Sequence, residues 1–321
     1  MPKVKPVSPL HMGKKNKPQI WAEYALVSGI VSTFRLLPRG ASVRLGRAIG
    51  RMTHKRLTKL SRVGMRNLEL AFPEKSERER SAILQGAFEN LGRVLGTVSH
   101  FHDLTSENIK DLIVYEPEPE FAAAYQRSID EARGRIIVGG HLGNWELQAF
   151  AYPLLYEPLT FLAREMDNPM IDKMIEKIRT RLGNRQIDKA NSASTIIRTL
   201  RGGGAVGMLA DVNSHPKEGV FVPFFGIPAC TASGVAMLAI RTGAIIVPAF
   251  AVWDKAAGKY RIVYDEIIEP PDTGDREADV IETTARYTAA IERVIRRYPD
   301  QWIWIHRRWK TRPAGEPDLY Q

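Results

Sequence analysis

From about residue 70 onward, short apolar runs alternate with longer amphipathic stretches. Residues 136–138, 160–163 and 205–209 are apolar or β-branched runs of strand length, each bounded by glycine, proline or charge, and they predict buried strands. Residues 245–252 predict another, and 260–264 alternate in period two. Between them the apolar positions recur at helical spacing over 169–182, 194–201, 232–241 and 277–297. Ser76-x-x-Glu79 is a capping-box pattern and predicts a helix running to about Val98. The rhythm predicts an α/β domain with a mixed, mostly parallel sheet flanked by helices.

The N-terminal part is patterned differently. Residues 1–18 hold five lysines and four prolines with almost no apolar periodicity, and predict a disordered basic arm. The chain turns apolar over 20–37, but Glu23 and Arg35 leave only residues 24–34 uncharged. Such a stretch spans about 16 Å as a helix, short of the roughly 30 Å hydrocarbon core. A span requires both charges to snorkel, so a helix lying in or dipping into the membrane interface is the favoured expectation. No small-residue cleavage site marks a signal peptide. Farther on, Arg44, Arg47, Arg51 and Lys55 fall on one helical stripe, beside an apolar face of Leu45, Ala48, Ile49 and Met52. The stripe admits two readings: a surface for anionic lipid, or the solvated face of a core-packed helix.

Charge sharpens that division. Of a net +10, residues 1–68 carry +14, from 15 Lys/Arg against the single acid Glu23, whereas residues 69–321 carry −4. We therefore expect a basic, membrane-associated helical segment over 1–68 and an α/β domain over 69–321, with an anionic partner for the first. No helix-turn-helix, RNP or zinc-finger pattern supports nucleic acid as that partner. The one cysteine, Cys230, excludes an internal disulfide and sits in an apolar stretch that predicts an inert core thiol.

Candidate chemistry gathers just beyond the predicted strands, where α/β sheets bind ligands. His141 follows 136–138, Arg164 follows 160–163 and Asp211 follows 205–209, which lets the three converge in one cleft. Glu146 stands five residues after His141, roughly 140° away on a single helix. If His141 lies on the loop and Glu146 in the first helical turn, the chain folds back and the carboxylate can orient the imidazole. The other ring nitrogen then takes a proton from a hydroxyl. That is half of a triad, with the substrate's alcohol in place of serine. His306 is a rival histidine without a carboxylate at matching spacing, and His100 and His102 lack a third metal ligand nearby. Gly202-Gly203-Gly204 leads into a strand and so is not a phosphate loop. Trp302, Trp304 and Trp309, with Arg307, Arg308 and Lys310, fit either an interfacial belt or a core plug with a basic rim.

Gly140-His141-Leu142-Gly143-Asn144-Trp145-Glu146 resembles the H-x4-D/E signature of the bacterial lipid A biosynthesis acyltransferases, the late lauroyl and myristoyl transferases. These belong to the wider lysophospholipid and glycerol-phosphate acyltransferase group. Arg164 with Asn168-Pro169, and Arg179 with Gly183, resemble a second block; residues 219–229 with Thr231 resemble a third, and Val247-Pro248 a fourth. Residues 301–309 are similar to the family's Trp-rich C-terminal signature, so the resemblance covers roughly residues 60–312. It departs at Val212, where the family places Gln after the aspartate.

The resemblance implies a glycerol-phosphate acyltransferase-like fold and O-acyl transfer from an acyl thioester, on acyl carrier protein, to a hydroxyl of a lipid A precursor or related glycolipid. Another lipid O-acyltransferase, an acyl-thioester hydrolase and a membrane-bound scaffold are the alternative readings. In the implied roles His141 is the base and Glu146 its orienting partner. Arg164 binds phosphate or the developing oxyanion, Asp211 holds Arg164 or the acceptor, and Arg179 serves the same anionic site. No metal or diffusible cofactor is implied, because the thioester is already activated. The implied location is the cytoplasmic face of the bacterial inner membrane, held there by anionic lipid.

Overall fold

The computed structural model describes residues 16–163, 166–187 and 192–321. The basic arm expected over 1–18 therefore lies almost wholly outside the described residues, and so does Arg164.

The strands are β1 (Ile113–Val114), β2 (Arg135–Gly139), β3 (Leu159–Leu162), β4 (Arg185–Ile187), β5 (Ala205–Leu209), β6 (Gly219–Phe224), β7 (Ile227–Ala232), β8 (Ile245–Asp254) and β9 (Lys259–Tyr264). Seven form one sheet in the order β1-β9-β8-β2-β5-β3-β4, and β6 and β7 form a separate antiparallel hairpin. Among the described residues of the large sheet, β8 and β9 are the pair that runs antiparallel, and the other pairs are parallel. The helices are α1 (Lys17–Leu36), α2 (Arg39–Arg56), α3 (Thr58–Ala71), α4 (Glu77–Val98), α5 (Pro119–Asp130), α6 (Trp145–Leu155), α7 (Pro169–Arg179), α8 (Ser192–Arg201), α9 (Gly234–Thr242) and α10 (Arg276–Arg297). The mixed, mostly parallel sheet with flanking helices is the α/β architecture expected from the alternating pattern. The capping box at Ser76 is present, with the Ser76 amide donating to Glu79 at 2.8 Å.

Strand alternation gives the sheet two unlike faces. Ile136, Val138, Val206 and Ile246 point into the main core, with Ala239 of α9 and Ile291 of α10. Their neighbours Ile137, Leu159 and Ala205 point the other way, with Tyr125 of α5 and Tyr152 of α6. On that second face Gly139 and Gly207 carry no side chain. The space they leave is part of a cavity of about 600 Å³ between the sheet, α6 and α7.

The N-terminal helices divide between packing and exposure. Gly46 and Gly50 of α2 lie directly on α4: a Cβ at Gly46 would meet the Gly92 carbonyl oxygen at 2.0 Å. Arg47 and Arg51 ion-pair with Glu89 of α4 at 2.8 and 3.3 Å, and Arg51, Arg44 and Lys55 are exposed, so the basic stripe is a solvated face tied to α4 at two points. The charge boundary at residue 68/69 falls inside α3, where Leu68 is buried in the main core. Helix α1 has little such packing. Trp21, Leu26 and Leu36 are 61%, 66% and 86% exposed. Among the described residues no helix is long and apolar enough to cross a membrane, which removes the spanning reading of residues 20–37.

Of the two readings of the Trp-rich segment, the core plug holds. Trp302, Trp304 and Trp309 are buried in the main core, and so is Arg308. Arg307 and Lys310 are exposed. Arg308 donates to the Cys230 carbonyl at 2.9 Å and to the Thr231 hydroxyl, which fastens the segment to the β6–β7 hairpin. Cys230 is itself buried, as an inert core thiol should be.

Candidate active site

The parallel pairing of β2 with β5 builds the site. Gly139 sits opposite Leu209, so the residues two beyond each strand end, His141 and Asp211, emerge side by side. Gly140 allows the approach, because a Cβ there would come within 3.0 Å of the Asp211 carboxyl group. His141 Nδ1 donates to Asp211 Oδ1 at 2.9 Å, and the His141 amide donates to Oδ2 at 2.6 Å. Nε2 has no hydrogen-bond partner among the described residues, and the His141 side chain lines the cavity.

The loop carrying His141 is tightly held. Gly143 adopts φ +63°, and a Cβ on it would lie 2.1 Å from the Ala251 carbonyl oxygen, so only glycine fits. Asn144 then caps α6, accepting from the Leu147 amide at 3.0 Å. From α4, Asn90 donates to the Gly143 and Gln301 carbonyls at 2.8 and 3.2 Å. The C-terminal segment completes the frame. Ile303 donates to the His141 carbonyl at 3.1 Å, the Gly143 amide donates to the Gln301 carbonyl at 3.0 Å, and the Trp302 indole N–H donates to Asp211 Oδ2 at 2.8 Å.

These contacts correct the pairing expected for His141. The carboxylate hydrogen-bonded to His141 is Asp211, not Glu146, and Asp211 is buried. The cap at Asn144 starts α6 at once and sends Glu146 toward α7, where Arg179 grips it in a two-pronged ion pair whose Nε–Oε2 distance is 2.8 Å. Glu146, Arg179 and His141 all line the same cavity. The structure thus brings His141, Asp211, Glu146 and Arg179 together in two pairs. His306 does not replace His141: its Nε2 accepts from the Asn213 amide at 2.9 Å. No sequence pattern marks Asn90, Gln301 or Trp302 as parts of the site. The nearest signal was the Trp-rich segment itself, which carried no hint of its register against residue 142.

The electrostatics suit a base. Burial opposes charge on His141, but the Asp211 carboxylate, through its charge and its hydrogen bond, and the nearby Glu146 charge prevail and raise the imidazole pKa. Burial likewise works against ionised Asp211, yet His141, the Trp302 N–H and the His141 amide together hold it below the usual carboxylate value. Burial lowers the His306 pKa, with the neighbouring cations adding to it against the pull of Asp211. Burial also lowers Arg308, to about 10, still cationic at neutral pH. An ionised carboxylate, a tautomer fixed with its proton on Nδ1 and a bare Nε2 facing a cavity make an arrangement able to remove a proton from a bound hydroxyl. Most of the remaining cavity wall is apolar, including Phe161, Leu162, Met166 and Ile175.

Comparison with known proteins agrees with the sequence blocks. The family model described as bacterial lipid A biosynthesis acyltransferase matches residues 12–311. The lipid A biosynthesis lauroyltransferase of Escherichia coli (strain K12) is 32% identical over 307 residues, 94% of this chain and 96% of that protein. The palmitoleoyltransferase of the same organism is 28% identical over 293 residues, 91% and 92% of the two chains. Its lipid A biosynthesis myristoyltransferase is 25% identical over 301 residues, 94% and 90%.

Proposed function

The chain belongs to the bacterial lipid A biosynthesis acyltransferase family, and from that premise we propose that it moves a fatty acyl chain from acyl carrier protein to a hydroxyl of a lipid A precursor. The observation that carries this reading is His141, clamped by a buried Asp211 on one nitrogen and open on the other to an apolar cavity. At about 600 Å³ the cavity falls in the ~300–1,000 Å³ range of ligand sites, ample for an acyl chain.

In the step, Nε2 takes the acceptor's hydroxyl proton as that oxygen attacks the thioester carbonyl. The tetrahedral intermediate collapses with cleavage of the carbon–sulfur bond, and the imidazolium returns its proton to the departing thiolate. Asp211 stabilises the imidazolium and keeps the ring in the productive tautomer. Arg179, held in place by Glu146, supplies positive charge at the cavity wall for an acceptor phosphate or for the oxyanion. Arg164 remains a second cation for that role, on its place after β3 in sequence. The thioester is already activated, so the step needs no metal or diffusible cofactor.

The segment up to residue 68 would rest on the cytoplasmic face of the inner membrane. Trp21, Leu26 and Leu36 offer apolar contact, and Arg44, Arg56 and Lys59 are exposed cations for anionic lipid. Because α2 and α3 are packed into the fold, membrane binding is better tested by Trp21→Ser/Leu26→Gln/Leu36→Gln than by deletion. The triple variant should lose sedimentation with anionic vesicles, and salt should weaken binding of the parent. Equal sedimentation of both would place the contact elsewhere. The chemistry is tested with radiolabelled acyl–acyl carrier protein and a lipid A precursor, analysing products by chromatography. Label should move to the glycolipid with the parent chain and stay on the carrier with His141→Ala. Free fatty acid as the parent's sole product would instead make it a hydrolase.

A further inference from the structure

The His141–Asp211 pair leaves one contact without a role so far. The indole of Trp302, 1% exposed, gives its only N–H to Asp211 Oδ2 at 2.8 Å. An indole is a donor only, so it can satisfy a carboxylate but cannot take a proton from it or share one with it. Two further bonds bring the Trp302 backbone against the same loop: residues 142 and 302 form an antiparallel bridge, flanked by the Ile303–His141 bond at 3.1 Å and the Gly143–Gln301 bond at 3.0 Å. The ring is fixed in turn by edge contacts with Phe224 and Trp304, at centroid distances of 5.7 and 4.6 Å.

We propose that Trp302 is a positioning residue for proton transfer by His141, fixing Asp211 in the orientation that receives Nδ1–H and tempering how strongly Asp211 holds the imidazole proton. This deepens the reading of His141 as the base and rests on it. The physical argument is one of shared charge. Asp211 Oδ2 accepts from both the indole and the His141 amide, and each donor draws negative charge away from the side facing the imidazole. With the indole donor removed, more of that charge falls on the His141 pair, and the imidazolium is stabilised. The base then becomes neutral only at higher pH. Among the described residues, the other charged or titratable groups facing the pair are Glu146 of α6 with Arg179 of α7 upon it, and His306 and Arg308 from the C-terminal segment. None of these groups is hydrogen-bonded to the Trp302 indole, whose N–H goes to Asp211.

The test uses the full chain with Trp302→Phe, and a second variant carrying benzothienylalanine at 302, which keeps the bicyclic shape and replaces N–H by sulfur. Two quantities are read: the pH profile of kcat for acyl transfer, and the His141 imidazole titration by NMR with labelled histidine. Both variants should move the acidic limb and the His141 titration upward together by about 0.5–1 pH unit. Near the lower limb activity should fall about 3- to 10-fold, recovering toward the parent value at higher pH. A loss equal at every pH, with His141 titrating as in the parent, would overturn the proposal and leave Trp302 a packing residue. If the Phe variant does not fold, the benzothienylalanine variant decides by the same two readouts. Failure of the base reading is separately visible, since it would show as full transfer by folded His141→Ala.

Discussion

Two carboxylates lie near the same imidazole, and they are built for different work. Asp211 is sealed from solvent and, among the described residues, receives three donors: the His141 ring, the His141 amide and the Trp302 indole. Glu146 lies on the cavity wall, its side chain about one-fifth exposed, with Arg179 as its ion-pair partner. Burial makes the first pair expensive to disturb, because an unmatched charge in low dielectric cannot be rescued by water. The partly wet second pair can be perturbed at smaller cost, and it presents a cation to whatever enters. The comparison teaches that nearness in sequence is a poor guide to which carboxylate a histidine hydrogen-bonds. His141 is five residues from Glu146 and seventy from Asp211, and it bonds the distant one.

The strongest way to break the contrast is at the buried pair. Asp211→Asn should cost about 10³- to 10⁴-fold in kcat, since an amide cannot stabilise the imidazolium and favours the wrong tautomer. His141→Ala should lose at least about 10²- to 10⁴-fold, and the double variant should be no worse than the poorer single one. Circular dichroism on each variant checks that the fold is retained. Additive losses would mean that the two side chains do not act as a unit.

Glu146→Gln should cost less, about 10- to 100-fold in kcat/KM, the worth of a hydrogen bond to a charged group. Its loss should fall mainly on the lipid acceptor's KM if Arg179 binds that substrate. A larger loss from Glu146→Gln than from Asp211→Asn would reverse the assignment of the two carboxylates.

The pH profile sharpens the same distinction. In the proposed role His141 acts as the neutral base, and its pKa is raised, so kcat should fall as pH drops through a value above the ordinary ~6.5. Removing the Glu146 charge takes away the smallest of the influences that raise it, so Glu146→Gln should move that limb downward. An unmoved limb would separate Glu146 electrostatically from the base.

The smallest effect concerns which chain is moved. A Cβ at Gly207 would meet Leu159 Cδ2 at 2.8 Å and push that flexible side chain aside within the cavity lining. Gly207→Val should therefore tilt selection toward shorter acyl donors, by about tenfold in the ratio of kcat/KM values, measured with a series of acyl–acyl carrier proteins. Unchanged selection would place the acyl chain elsewhere.

Much of the architecture was decided locally and could be read from the chain. The helix from Ser76 to about Val98 is written in its capping box, and β5 occupies the residues its apolar run predicted. The positions of His141 and Asp211 just beyond two strands followed from the same runs. A local pattern reports a residue's own backbone state and which of its faces is apolar, and those are the properties these elements depend on. Which strand lies beside which is not a local property. Only the β2–β5 pairing set Asp211 opposite His141, and only the path of the chain after α10 brought Trp302 under both. Glu146 shows the limit most sharply. Its place in the first turn of α6 was legible, but its partner lies on α7, beyond a strand and a loop, where sequence spacing carries no direction. The residue types and their spacing therefore determined only that His141 and Asp211 stand just beyond strands and that Glu146 stands at a helix start. The tertiary structure decided which carboxylate is buried and which faces the cavity, because desolvation and partner choice depend on the side chains that surround a group after folding.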